Sequence, residues 1–172
     1  MWNSRLEFLE NSYYHIYNKW LSTEPLFHDD QEFDKFYELL LRYLKDYSDI
    51  KLVSYSFLPN HFHLIVKNIK TWHRLSEFMK RLQWAYATSY RKKYPSELKQ
   101  PVFKGRFKST RIDSEEYLHK CMSFVNYNPL KYKLVEDIKD YKYTSIHRLL
   151  KTGPKKYLDN KELSLDELEY GK

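Results

Sequence analysis

The sequence predicts an α+β domain whose antiparallel sheet has the ferredoxin-like, split β-α-β arrangement, with helices on one face. Three observations predict it: short runs of aromatic and β-branched residues, two longer segments with apolar residues at helical spacing, and a tight connection between two of the runs. Along the chain these segments follow the order β-α-β-β-α-β-α. A chain of 172 residues can build one such domain with an adequate core, which we assign to residues 1–150, with a polar tail at 151–172.

The first strand and the first helix have clear sequence signals. Residues 13–20 are dominated by aromatic side chains, which favour a strand. Asp29 and Asp30 then supply an N-cap and a negative charge in the first turn of a helix. Apolar residues recur at helical spacing from there to about Asp46, so this segment predicts an amphipathic helix.

The next three elements are predicted as two strands and a long helix. Residues 50–57 and 61–67 have strand character, and the Pro59-Asn60 connection is short enough to join them as an antiparallel hairpin. The helix is predicted over residues 71–93, with an apolar side and a basic side.

The charge of the chain points to a polyanionic partner. The net charge is +7 and the pI is about 9.2. The excess is concentrated between Lys67 and Arg111, where Glu77 and Glu97 are the only acidic residues.

Residues 101–112 alternate apolar or aromatic side chains with basic ones. One interpretation is an edge strand that its cations keep soluble. The other is a strand whose basic side follows a phosphate backbone while its aromatic side packs or stacks. We favour the second because the neighbouring helix is basic too, and we assign the nucleic-acid contacts to Lys104, Arg106, Lys108 and Arg111.

The last part of the predicted domain contains one more helix and a docking segment. The helix begins at Asp113 or Ser114 and is expected to stop at the asparagine–proline pair at 128–129. Residues 141–146 then predict a segment that docks on the domain, and residues 145–150 a short helix.

The cysteine content and the distribution of apolar residues indicate the cellular compartment. The single Cys121 excludes an internal disulfide and a zinc site made of cysteines, and it fits a reducing environment. No run approaches the ~18 apolar residues that span a bilayer, and the polar N-terminus lacks the core of a signal peptide. We therefore expect a cytoplasmic protein with no membrane partner.

Two histidines stand out in the third predicted strand. Alternation sends His61 and His63 to one face and Phe62 and Leu64 to the other. Two imidazoles with the same orientation, roughly 6–7 Å apart along the strand, are able to bind one metal ion. The alternative is a pair of hydrogen-bonded histidines on a sheet face, and a His-x-His pair alone does not distinguish the two.

Five segments, in this order and spacing, resemble a known family: Tyr14-His15-Ile16-Tyr17-Asn18, Leu58-Pro59-Asn60-His61-Phe62-His63-Leu64, Phe103-Lys104-Gly105-Arg106-Phe107-Lys108, Asn128-Pro129-Leu130-Lys131 and Asp140-Tyr141-Lys142-Tyr143-Thr144-Ser145. They are similar to the single-tyrosine HUH transposases, and within these to the REP-associated tyrosine transposases. The resemblance covers most of residues 13–150 and implies the HUH endonuclease type of the ferredoxin-like fold.

The resemblance implies a metal-dependent endonuclease and strand transferase that acts on single-stranded DNA, often beside a hairpin. In such an enzyme His61 and His63 would hold a divalent ion, magnesium or manganese, that polarises the scissile phosphate. Asn128 matches the third metal ligand of the family, although it also fits an ordinary helix C-cap. A tyrosine in the helix at 114–128 would attack the phosphorus, remain linked to the 5′ side as a phosphotyrosine and free a 3′ hydroxyl.

The residue at the nucleophile position, four before Asn128, is Phe124, which lacks the reacting hydroxyl. Helical spacing of four places these two residues on one face. Three explanations are open: an engineered Tyr→Phe change that traps an uncleaved complex, a natural loss that leaves a DNA-binding protein, or replacement by Tyr127. We favour the first two, because spacing of three residues turns Tyr127 away from the direction of the metal ligands.

Two functions are therefore compared. The first is a site-specific single-stranded DNA transposase or nuclease, which Phe124 would leave inactive in this chain. The second is a non-catalytic nucleic-acid-binding regulator that uses the same basic cleft. The aromatic signature of sheet-based RNA-binding modules is not evident, and the second function gives the histidine pair no role, so the sequence favours the first. Both a monomer and a homodimer remain open.

Overall fold

The elements of the computed structural model follow the predicted order. The structure describes residues 8–21, 25–70, 72–95 and 100–152. Its strands are β1 (Ser12–Lys19), β2 (Ile50–Leu58), β3 (His61–Asn68) and β4 (Lys108–Ile112). Its helices are α1 (Asp30–Asp46), α2 (Trp72–Lys93), α3 (Glu115–Asn126), α4 (Asn128–Lys131) and α5 (Ile146–Thr152), with a 3₁₀ turn at Ile138–Asp140. Thr71, where the second helix was expected to begin, lies outside the described residues.

The strands form one antiparallel sheet in the order β2-β3-β1-β4. Strand β3 is central, and its His63 lies opposite Ser56 on β2 and Tyr17 on β1. Because β1 and β2 are each antiparallel to β3, they run parallel to each other with β3 between them, which is the split β-α-β arrangement. The predicted fold class and the central position of the histidine strand are confirmed.

Different helices cover the two faces of the sheet. On one face α1 and α2 pack over an aromatic core that includes Phe36, Phe62 and Tyr86. On the other face α3 packs against Val53 and Ile65 of the sheet. This corrects the expectation of helices on one face only: α3 has its own apolar stripe, and only the second face of the sheet is available to bury it.

Side-chain caps fix the beginnings of α1 and α3. The carboxylate of Asp29 accepts a hydrogen bond from the backbone N–H of Glu32 at 3.1 Å. The hydroxyl of Ser114 accepts one from the backbone N–H of Tyr117, also at 3.1 Å. Both caps match the sequence signals, since Asp and Ser side chains satisfy N–H groups that have no partner inside the helix.

The end of α3 differs from the prediction. The helix stops at Asn126, and Asn128 begins the separate helix α4 with Pro129 in its first turn. A proline ring crowds the preceding turn and offers no N–H, but it fits the first turn of a new helix. Phe124 and Asn128 therefore do not share one uninterrupted helix face.

The basic segment at 101–112 is a strand only over its last five residues, those of β4. Before them, Phe103 makes an isolated bridge to Trp20, and Gly105 has a φ of 69°. This left-handed conformation favours glycine and interrupts the strand. The expected single basic side of a continuous strand is therefore not formed.

The docking segment covers the outer edge of β2. The hydroxyl of Tyr141 donates to the carbonyl of Phe57 at 2.6 Å, and the backbone N–H of Phe57 donates to the carbonyl of Tyr143 at 2.9 Å. Pairing of this kind protects an edge strand, and the predicted docking is confirmed. Residues 153–172, most of the predicted tail, lie outside the described residues. No helix in the described part of the chain is long and apolar enough to cross a membrane.

Candidate functional site

His61 and His63 lie together on the face of β3 that looks away from α1 and α2. Their ring centroids are 5.0 Å apart and the ring planes are nearly perpendicular, at 88°. His63 is 7% exposed, and His61 is half-buried. The strand alternation seen in the sequence thus gives the two imidazoles a common orientation and a sheltered position.

Hydrogen bonds occupy one nitrogen of each ring. Nδ1 of His61 lies 2.6 Å from Oδ1 of Asn60, and because a carbonyl oxygen only accepts, Nδ1 donates. Nδ1 of His63 lies 2.9 Å from Nε2 of His15 on β1. These contacts leave Nε2 of each histidine for another partner, and Nε2 of His61 is buried without one among the described residues.

Burial keeps these imidazoles neutral at physiological pH. Desolvation, followed by the nearby charge of Lys19, lowers the pKa of His61 to about 4. Desolvation, followed by the charges that His15, His61 and Lys131 would carry, lowers the pKa of His63 to about 3. A neutral imidazole has a free lone pair on nitrogen, which is the form that binds a metal.

Phe124 of α3 stands directly over this cluster. Its ring centroid is 5.6 Å from that of His63 and 6.0 Å from that of His15, in edge-on contacts. The side chain is nevertheless 41% exposed, and Nζ of Lys131 lies 5.2 Å from its ring centroid. The nucleophile position predicted from sequence therefore lies beside the histidines, open to solvent and next to a cation.

Tyr127, the fallback nucleophile, has a different environment. It is the C-cap of α3 and is 41% exposed. Among the described residues, no ring contact joins it to the three histidines, whereas Phe124 contacts two of them.

Helix α4 borders the same cluster. The ring of Tyr132, just after α4, lies 4.9 Å from that of His61. Asn128, the first residue of α4, is 1% exposed, and neither its Oδ1 nor its Nδ2 has a hydrogen-bond partner in the described part of the molecule. A buried amide without partners is costly, so a ligand that bound these two atoms would remove that cost.

We compared these donors with the requirements of a metal site. The described ranges contain no group of three or more His, Cys, Asp or Glu able to hold a metal ion. A divalent ion would instead need the Nε2 atoms of His61 and His63, the amide oxygen of Asn128 and oxygens of a substrate. Neutral imidazole nitrogen binds divalent transition metals, and amide oxygen suits magnesium and manganese. The partnerless atoms of His61 and Asn128 are donors of these two kinds.

The four predicted nucleic-acid contacts are divided between the two faces of the sheet. Lys108 lies opposite Tyr17 and Arg111 opposite Tyr14, so the two cations point to opposite faces. Lys108 shares the histidine face, where its Nζ is 5.9 Å from the ring centroid of Tyr17. Lys104 and Arg106 are exposed in the loop before β4.

Sequence reasoning missed three neighbours of the histidine pair: His15, Lys131 and Tyr132. His15 and Tyr17 alternate in β1 as the two histidines do in β3, and that pattern places both residues on one face. Tyr17 pairs with His63, so His15 and Tyr17 lie on the same face of the sheet as the histidine pair. This pairing depends on the register between β1 and β3, which the sequence pattern did not give.

Known proteins provide an independent comparison. A family model described as "Transposase IS200 like" matches residues 8–128. No curated protein matches the chain. A solved REP-associated tyrosine transposase bound to a REP hairpin superposes with a TM-score of 0.66 at 17% identity, covering 89% of this chain and 87% of that one. At this identity the likeness concerns the fold alone.

Two further structures are more distant. A putative transposase from Deinococcus radiodurans has a TM-score of 0.47 at 18% identity, over 70% of this chain and 92% of that one. The tRNA(His) guanylyltransferase from Saccharomyces cerevisiae has a TM-score of 0.46 at 14% identity, over 72% and 62%. We base no inference on structures with such low TM-scores. The family match, in contrast, includes every strand of the described sheet and extends to Asn128. The chain belongs to the IS200-like transposase family.

Proposed function

We propose that the histidine face binds single-stranded DNA beside a hairpin and holds its scissile phosphate over His61, His63 and Asn128. Membership of the family supports a transposase-type function; the substrate, the metal and the covalent intermediate are proposed here. The observation that carries the proposal is the position of Phe124, which contacts His63 and His15 on the open side of the cluster.

The donors on this face support a divalent ion, magnesium or manganese. A divalent ion would polarise the scissile phosphate and offset its negative charge. The chain would contribute the two Nε2 atoms and the amide oxygen of Asn128. With Nε2 of His63 on the ion, its Nδ1–H would donate to Nε2 of His15, and this bond would hold the ring of His63 in one orientation.

Cations around the cluster support the binding of a phosphate backbone. Lys19 lies opposite His61, Lys108 opposite Tyr17, and Lys131 beside the Phe124 ring. Each side chain is exposed, so its charge reaches the solvent from which DNA would approach.

Phe124 supplies a ring in the right place but no oxygen. This chain would therefore bind DNA without cleaving it. In a Phe124→Tyr variant, the phenol would lose its proton to water, and its oxygen would form a bond to phosphorus while the bond from phosphorus to the 3′ oxygen breaks. The 3′ oxygen would take up a proton and leave as a hydroxyl, and the protein would remain linked to the 5′ phosphate.

The same observation supports a second function, that of a non-catalytic regulator that binds DNA. A phenylalanine at this position is consistent with a protein that keeps the binding surface without the reaction.

Formation of a covalent adduct distinguishes the two functions. We would incubate the protein with manganese and a pool of 3′-labelled oligonucleotides, each with one hairpin and randomised flanks, and resolve adducts on denaturing gels. The label is placed at the 3′ end because the tyrosine would retain the fragment with the 5′ phosphate. The Phe124→Tyr variant should form an adduct and the native chain none.

Three controls complete the experiment. Adding His61→Ala to Phe124→Tyr should abolish the adduct, whereas adding Tyr127→Phe should leave it. If Phe124→Tyr binds the DNA but forms no adduct with any divalent ion, the nuclease function is wrong and the regulator remains. An adduct formed by the native chain and lost in Tyr127→Phe would identify Tyr127 as the nucleophile.

A further inference from the structure

A groove of about 740 Å³ lies on the solvent side of α2, away from the histidines. We call it the α2 groove and define it by Lys80, Trp84, Arg91, Phe103, Arg106 and Phe107. Because α2 packs on the aromatic face of the sheet, this groove and the histidine cluster lie on opposite sides of the domain.

One wall of the groove is a stripe along α2. Lys80, Trp84, Ala87 and Arg91 are spaced by four, three and four residues, which places them on one face of the helix. Trp84 is 69% exposed, whereas the neighbouring Leu82 and Tyr86 are fully buried in the core. A large ring held in solvent between two cations has no role in the packing of the domain.

The other wall is the loop that precedes β4. Phe103 is buried at its base, and the turn at Gly105 leaves Arg106 exposed and Phe107 half-buried along the rim. Among the described lining residues the one acidic side chain is Glu77, which pairs with Arg81 at 2.9 Å. The groove thus combines aromatic surface with three cations.

We propose that the α2 groove binds an unpaired nucleotide of single-stranded DNA, with the base stacked on Trp84 and the phosphates near Lys80, Arg91 and Arg106. The inference rests on the proposed function, that this chain binds single-stranded DNA. Aromatic side chains that stack bases beside a basic track are the general solution for binding single strands.

The loop between the two surfaces supports a continuous path. Arg106 lines the groove, whereas Lys108, two residues later, shares the histidine face. Strand β4 is the edge of the sheet, so the cations from Lys104 to Lys108 pass around this edge from one face to the other. A phosphate backbone following them would connect the groove with the histidine cluster.

Charge argues against a second copy of the chain as the occupant. Each copy carries a net charge of +7, and the groove adds three cations at the contact. Like charges that meet at an interface repel, whereas a polyanion is attracted.

The test measures DNA affinity by fluorescence anisotropy, with a labelled oligonucleotide that carries one hairpin and a 20-nucleotide single-stranded flank of mixed sequence. Trp84→Ala should weaken binding about 5- to 100-fold, the range expected for one lost stacking contact. Trp84→Phe should retain most of the affinity. Arg91→Ala should lower the slope of log affinity against log salt by about one.

Exposed residues elsewhere provide matched controls. Leu150→Ala on α5 removes an exposed apolar side chain, and Lys139→Ala in the 3₁₀ turn removes one positive charge. Both variants should bind DNA like the native chain. Photocrosslinking with 5-iodouracil in the same oligonucleotide should map to the peptide that contains Trp84.

The outcomes distinguish failure of the proposed function from failure of the inference about the α2 groove. If the native chain does not bind the oligonucleotide, the proposed function fails and the inference fails with it. If the native chain binds and Trp84→Ala binds equally well, only the inference is wrong. If Trp84→Ala dissociates a dimer in sedimentation while DNA affinity stays the same, the occupant is a second copy and the inference is also overturned.

Discussion

The two faces of the sheet differ in how deeply aromatic rings are buried and in how certain polar groups are paired. Under α1 and α2, rings such as Phe36 and Tyr86 are fully buried, and the hydroxyl of Tyr86 donates to the carboxylate of Glu32 at 2.9 Å. On the histidine face, Phe124 is 41% exposed, and His61 and Asn128 keep buried atoms without partners in the described structure. Both faces bury apolar side chains, and the histidine face also keeps the polar atoms to which we assign a ligand in the proposed function.

Removing one phenylalanine from each face tests this comparison directly. Phe36 contacts the rings of Phe27, Phe57, Phe62 and Tyr86. Phe36→Ala should lower the free energy of unfolding by about 3–5 kcal/mol, because it leaves a cavity in a closely packed core. Phe124→Ala should lower it by about 1 kcal/mol or less, because the ring is partly solvated.

Urea unfolding followed by circular dichroism measures both changes. Equal losses of stability in the two variants would show that the histidine face is packed like the core and would break the comparison.

Acid should destabilise the metal-free protein through the histidine face. The pKa values of His61 and His63 are about 4 and 3 in the folded protein, below the ordinary value of about 6.5. Below that value the unfolded chain binds protons that the folded chain excludes, so stability falls as the pH is lowered toward the folded pKa values.

Between pH 7.5 and 5 in a chelator, the loss should be about 2 kcal/mol for the well-buried His63, with a smaller contribution from His61. Urea titrations across this range would measure it. The double variant His61→Gln, His63→Gln should have a flatter pH dependence, and an unchanged slope would assign the acid sensitivity to other groups.

A smaller effect is expected at the covered edge of β2, where the hydroxyl of Ser145 is buried and paired. The hydroxyl of Ser145 donates to Oδ1 of Asn126 at 2.7 Å and accepts from the backbone N–H of Tyr55 at 3.0 Å. Ser145→Ala should lower the free energy of unfolding by about 1–2 kcal/mol, since it removes the acceptor of the backbone N–H of Tyr55. Urea unfolding would measure this loss, and the control Ser123→Ala, on the exposed side of α3, should have almost no effect.

Much of the candidate site was predictable because its signals are local. Alternation placed His61 and His63 on one face, and the family resemblance at the asparagine–proline pair pointed to Phe124, which contacts His63. The exact relation of Phe124 to Asn128 was not predictable by helical spacing, because α3 ends at Asn126 and Asn128 begins a new helix. The basic segment was predicted as one strand, and the turn at Gly105 divides it.

The sequence by itself determined the element order, the helix caps at Asp29 and Ser114, the basic block and the shared orientation of the histidine pair. Each depends on residues a few positions apart, whose geometry the backbone sets. Only the tertiary structure decided that His15 bonds His63, 48 residues away, and that Ser145 closes onto β2, 90 residues from Tyr55. These contacts depend on strand register and on the packing of distant segments, which no local pattern specifies.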